Sequence, residues 1–283
     1  MNKTLLSLLL ISIFPLSYSQ IVEETRTINY HPSEFTIKQR ISPPEGYYWQ
    51  DEVEGSFADY LTQQVLAPEG FPVRDFRKNL IKRQDLHVAV FETEVGAKDL
   101  QQCADAWIRL YADYLWEKKR FDDIVFQLTS EQPFSWNDFK NGVRTVEDGE
   151  RVQFLKTGKF DYSYDNFRNY LDVIFQYSGT KSLDKESVSV KSNADIRVGD
   201  YLLKPGSPGH LTMIVGVAKN KNGKKIYLLA ESFMPAQDIH IIKNPKNKLL
   251  SPWYELDTKA LQIVTAKYRF GPNSIKRFYQ LIQ

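Results

Sequence analysis

Apolar residues recur in two rhythms along this chain, one helical and one strand-like. From Asp99 to Lys118 they return at intervals of three and four. Leu100, Cys103, Ala104, Trp107, Leu110, Tyr111 and Tyr114 form one stripe; Gln101, Asp105, Arg109, Asp113 and Glu117 form a polar one. This spacing predicts an amphipathic helix. Asp99 is its expected cap, with Gln102 three residues on, and Asp105 and Arg109 are spaced to pair one turn apart. A second helix is predicted over Ser163–Tyr177, capped by Ser163 and stopped at Gly179. Shorter helices are predicted over Gly55–Gln64 and Phe134–Val143. Strand patterns fall at Leu86–Val95, Ile124–Leu128, Tyr201–Lys204, His210–Ala218, Lys225–Phe233, Ile239–Lys243 and Gln262–Phe270. Residues 144–162 read as a polar loop broken by Gly149 and Gly158. Leu211–Val217 is almost wholly apolar, as a central buried strand would be, and Asn222-Gly223 signals a hairpin turn after it.

The first residues follow neither rhythm. Lys3, an apolar run over Leu5–Leu16 and Ser17-Tyr18-Ser19 predict a secretory signal peptide spanning residues 1–19, cleaved before Gln20. The mature chain is then expected to be exported, periplasmic or extracellular. No later segment is apolar over a length that crosses a bilayer. Residues 20–283 suit one α+β domain, with 20–85 as an N-terminal extension wrapping it.

Composition narrows the chemistry. Thirty-seven basic residues against 35 acidic ones leave a formal charge of +2, without the basic excess of a nucleic-acid binder. His31, His87 and His240 lack metal-ligand spacing, and no phosphate loop, dinucleotide fingerprint or nucleophile elbow is present. No cofactor or metal is expected. The chain has one cysteine, so no intrachain disulfide can form.

Cys103 is therefore either a small buried hydrophobe or a nucleophile. Its place near a helix start favours a thiolate, because free N–H groups and the helix dipole attract negative charge there. His210 opens the apolar strand after the turn Pro205-Gly206-Ser207-Pro208-Gly209. A histidine base needs a partner for its second ring nitrogen. A two-residue turn at Asn222-Gly223 sets the ladder sum at about 445 and places His210 opposite Pro235. A longer loop or a bulge moves it toward Phe233 or Met234. Glu231, Ser232 and Gln237 are the polar candidates at that level; Glu231 is the only ionisable one and the furthest away.

The order of these residues resembles the papain-like superfamily of bacterial cysteine peptidases and amidases, especially NlpC-type and CHAP-type cell-wall enzymes. It runs from Cys103 at a helix start, through Gly199-Asp200 and Gly209-His210 opening a strand, to a hairpin bearing Glu231. The resemblance implies an antiparallel sheet packed on a central helix carrying Cys103, with a core over 86–283 and an insertion around 129–195. It implies Cys103 as nucleophile, His210 as base, Glu231 as third member, and amide hydrolysis of a peptide or peptidoglycan-like substrate. Those enzymes usually carry a small polar pair around the nucleophile; here it is Gln102-Cys103-Ala104. More closely, the chain is similar to domain of unknown function 4846. Asp99–Ala106, Gly206–His210 and Phe233–His240 carry that likeness. A second reading is a non-catalytic exported binding protein on the same scaffold, holding peptide or glycan. The enzyme requires an accessible thiol of lowered pKa; the binder does not.

Overall fold

The computed structural model describes residues 31, 33–149 and 151–282, so the expected signal peptide lies outside the described residues. Its centre is a nine-stranded sheet. Across it the order is His87–Val90, His240–Ile242, Lys225–Glu231, His210–Asn220, Tyr201–Lys204, Ile275–Phe278 and Ser187–Ser189. Tyr47–Trp49 pairs with the far end of the His210 strand, and Trp253–Tyr254 with the far end of the Glu231 strand. All these pairings are antiparallel. The fold mixes antiparallel sheets with few helices. Within the expected N-terminal extension, Tyr47–Trp49 does more than wrap the outside, because it extends the sheet itself.

The long helix runs over Cys103–Glu117. It begins at Cys103 rather than Asp99 because the Asp99 carboxylate is engaged elsewhere: Oδ1 accepts from Ala236 N at 2.7 Å and from Gln102 Nε2 at 3.1 Å. Gln102 is the N-cap residue, and its own N–H donates to Asp105 Oδ2 at 3.1 Å. The apolar stripe behaves as its spacing requires. Trp107 packs on Tyr201 and Phe278 with ring centroids 5.0 and 5.1 Å apart, and its Nε1 donates to Gly199 O at 3.1 Å.

Most of the polar stripe is buried as well, all but Glu117, contrary to the amphipathic reading. Gln101, Asp105, Arg109 and Asp113 are all buried, because a second layer covers that side. Tyr164 from the helix Tyr164–Tyr177 bonds both Arg109 and Asp113. Trp116, one turn on, stacks on Phe167 with centroids 4.4 Å apart. Arg109 pairs with Asp113, not Asp105. A helix held between two layers needs its charges partnered internally.

Residues 144–162 are not a loop throughout. Val143–Asp148 and Arg151–Lys156 form an antiparallel hairpin, with Gly149 at φ +62° beside the turn. Phe154 stacks on Phe134 at 4.9 Å and Val152 is buried in the same core, which together anchor the hairpin. Charged and polar residues fill most of its other positions, so its composition imitated a loop. Gln262–Phe270 is a two-stranded hairpin, Ile263–Val264 against Arg269–Phe270, instead of one strand.

Candidate functional site

The site is built at one end of the two central strands. The turn between them is longer than two residues: Gly223 N donates to Asn220 O and Asn220 N to Lys224 O. Lys225 therefore faces Lys219, and a bulge between Leu228 and Leu229 shifts the ladder again, so that Ala230 faces Met213. Both shifts pull the strand back relative to the sequence expectation. Thr212 is then level with Glu231, and His210 lies near Phe233, whose ring centroid is 4.8 Å from its own. Glu231, expected to be the furthest polar candidate, is a diagonal neighbour of His210 on the same sheet face.

The contacts follow from that register. His210 Nε2 lies 3.0 Å from Glu231 Oε2. Thr212 Oγ1 donates to the same oxygen at 3.2 Å and lies 3.3 Å from His210 Nε2. Neutral His210 therefore carries its proton on Nε2, and Nδ1 keeps its lone pair. Nδ1 has no hydrogen-bond partner among the described residues. His240 sits directly opposite Glu231 on the neighbouring strand. Of the other candidates, Ser232 Oγ donates to Gln237 O at 2.7 Å and to Gln101 O at 3.3 Å. Neither Ser232 nor Gln237 bonds His210.

Glu231 is fully buried, and burial pushes its carboxyl upward. The hydrogen bond from His210, followed by the charges of His210, His240 and Lys267, outweighs this and holds it below the ordinary carboxylate range. His240 is driven down to about 4, first by burial and then by the Lys267 ammonium. It is neutral at physiological pH.

A roof closes over His210. Its ring centroid is 4.5 Å from that of Tyr268 and 5.8 Å from that of Phe270, leaving the residue 1 % exposed. Tyr268 and Lys267 belong to the turn of the 263–270 hairpin, a sequence-distant element with no motif of its own. Sequence reasoning missed both, along with Thr212 and His240. Thr212 could have been found from the two-residue period of the strand, and His240 from correct hairpin register.

Cys103 enters from the other side. Tyr201 pairs with Met213 and shares its face; Thr212, Glu231 and His210 point to the opposite one. Trp107 packs on Tyr201, so the Cys103 helix lies against the face away from the imidazole. Toward the strand ends, the backbone N–H groups of Leu211, the residue after His210, and of Ala104 favour the charged form of the Cys103 sulfur. No hydrogen bond joins Cys103 to His210 among the described residues. Cys103 is 8 % exposed, and its thiol is pushed up to about 11. Burial is the main cause, opposed by the Leu211 N–H and reinforced by Asp105 and Glu231. The lowered pKa that a resting nucleophile would show is absent. Beside it, Gln101 Nε2 is buried without an acceptor, while Gln101 Oε1 takes a bond from Arg109.

Among the described residues, no group of three or more His, Cys, Asp or Glu is arranged to hold a metal ion, and no helix is long and apolar enough to cross a membrane. Fold and site together define a mixed α and β protein with an antiparallel sheet, a lone thiol at a helix start and a buried histidine–glutamate pair. The chain belongs to the family described as domain of unknown function 4846, whose family model matches residues 37–277. No curated protein and no solved structure matches it.

Proposed function

We propose that this protein is an exported papain-like cysteine hydrolase of amide bonds, acting on cell-wall peptides, with Cys103 as nucleophile, His210 as base and Glu231 as the group orienting the base. One observation carries the reading. Glu231 holds His210 by Nε2 and leaves Nδ1 unbonded, at the strand end where the N–H of the next residue favours charge on the Cys103 sulfur.

In this mechanism Nδ1 takes the thiol proton, and the sulfur attacks the substrate carbonyl carbon. The negative charge on the carbonyl oxygen is met by the free N–H groups of the helix start, with Gln101 Nε2 as a side-chain donor. The imidazolium returns the proton to the leaving amine, and water cleaves the thioester. The resting thiol is protonated, so substrate must bring sulfur and Nδ1 within hydrogen-bond reach. Geometry at such sites is often loose before ligand binds.

The papain-like assignment and the location rest on the resemblance of the motifs around Cys103, Gly209-His210 and Glu231. The competing reading is a binding protein with an inert thiol. It is favoured by the raised thiol pKa and by a cavity of about 640 Å³ remote from Cys103, lined by Phe71, Val88, Val90 and Pro252 among others.

The test is hydrolysis of cell-wall stem peptides by the chain from Gln20 onward, read as released amine. Cys103→Ala and His210→Ala should abolish turnover while circular dichroism stays unchanged. Glu231→Gln should reduce it by about tenfold or more. Turnover that survives Cys103→Ala would refute the nucleophile. No turnover, with a thiol that resists iodoacetamide up to about pH 9 in the presence of peptide, would leave the binding reading.

A further inference from the structure

The two oxygens of Glu231 are treated differently by the fold. Oε2 receives His210 and Thr212. Oε1 is buried and receives no hydrogen bond. Its nearest charged neighbour is Lys267 Nζ at 3.8 Å, and His240 Nε2 lies at 3.9 Å.

His240 cannot serve Oε1 as a donor. Its Nδ1 lies 2.8 Å from Asp238 O, a carbonyl that can only accept, so Nδ1 carries the ring proton. Nε2 is then a bare lone pair, and Lys267 Nζ donates to it at 3.2 Å. A chain of fixed roles results. The Asp238 carbonyl sets the His240 tautomer, His240 anchors the Lys267 ammonium, and the ammonium stands against the otherwise empty side of Glu231. Lys267 is mostly buried too, 14 % exposed at its side chain, and lies over the Phe233 ring at 5.6 Å. Burial lowers its pKa while Glu231 opposes that. A buried ammonium and a buried carboxylate are each costly alone and tolerable together.

We infer that Lys267, held by His240, is the positioning residue that keeps Glu231 ionised and aimed at His210. This rests on the proposed role of His210 as base, but its physical content can be measured without turnover. The groups facing the pair are Thr212 on the His210 strand, Lys204 opposite His210 on the next strand, His240 on the other neighbouring strand, Lys267 and Tyr268 on the covering turn, Arg83 acting on Lys267, and Cys103 at the helix start. Lys267 is the cation placed against a Glu231 oxygen, at 3.8 Å.

The sign follows directly. Removing the ammonium removes the cation that stabilises Glu231 as the carboxylate on its otherwise empty side. Glu231 must then hold its proton to higher pH. In Lys267→Met the Glu231 carboxyl, followed by carbon-resolved NMR, should titrate at higher pH than in the wild type. Lys267→Arg should reverse most of this rise. If the protein turns over amides, kcat/KM should fall most at acid pH, where the variant's Glu231 is protonated. An unchanged Glu231 titration in a folded Lys267→Met protein overturns the inference even if activity falls. Should that variant not fold, the wild-type protein decides. A Glu231 carboxyl titrating below the ordinary carboxylate range by carbon-resolved NMR supports the inference, and one titrating within or above it overturns it. Absence of any hydrolase activity would defeat the proposed function and leave these titrations standing.

Discussion

Asp105 shows what a single buried carboxyl costs. Oδ2 takes the Gln102 N–H, but Oδ1 is buried with no partner. Burial drives its pKa well above the ordinary value, only partly opposed by the backbone N–H of Gln102. The folded chain therefore holds a proton that the unfolded chain releases near the usual carboxylate pKa. Stability is lost as pH rises above that range, since the unfolded state then binds fewer protons than the folded one. Asp105→Asn should raise the thermal midpoint near pH 8, worth roughly 1–3 kcal/mol, and the gain should vanish near about pH 3. A gain that is equal at both pH values would contradict the account.

At the level of elements, the Pro205–Gly209 turn is tied to the short helix Thr180–Lys185. Thr180 Oγ1 donates to Gly206 O at 3.2 Å and accepts from Gly206 N at 3.3 Å. A Cβ on Gly209 would meet the Thr180 side chain and come within 2.8 Å of Lys204 O. Gly209→Ala should cost about 1–3 kcal/mol in denaturant unfolding and displace His210 from Glu231; an unchanged midpoint would show that the turn yields freely.

Much of this level was legible in advance. The helix at 103–117 and the strands at 201–204, 210–220, 225–231 and 240–242 announce themselves by period and by the Asn222-Gly223 turn. What sequence could not supply was the exact register. One longer turn and one bulge changed the partner of His210 and brought Glu231 within 3.0 Å of it. Local pattern also failed for Arg109 and Asp113, whose spacing reads as a solvated face. The covering residue Tyr164 lies 55 positions from Arg109, and nothing local encodes it.

Across the whole molecule, the site depends on contacts between distant stretches of chain. Lys267 and Tyr268 reach Glu231 and His210 only after the 263–270 hairpin folds back. The strand Ile275–Phe278 then lies between Tyr201–Lys204 and Ser187–Ser189, inside the sheet and not on its edge. Phe278 also packs against Trp107 at 5.1 Å and Tyr111 at 5.5 Å, under the Cys103 helix. Ending the chain after Gly271 should abolish the cooperative thermal transition, because two neighbouring strands lose their ladder and Trp107 loses a wall. A truncated protein that melts normally would mean the sheet tolerates that gap.

A strand that follows every other described strand yet sits in the sheet interior has a temporal meaning. While the chain is being made, the slot it will fill stands open, and everything on either side must wait. The scaffold beneath thiol and imidazole is finished only after Phe278 has left the ribosome.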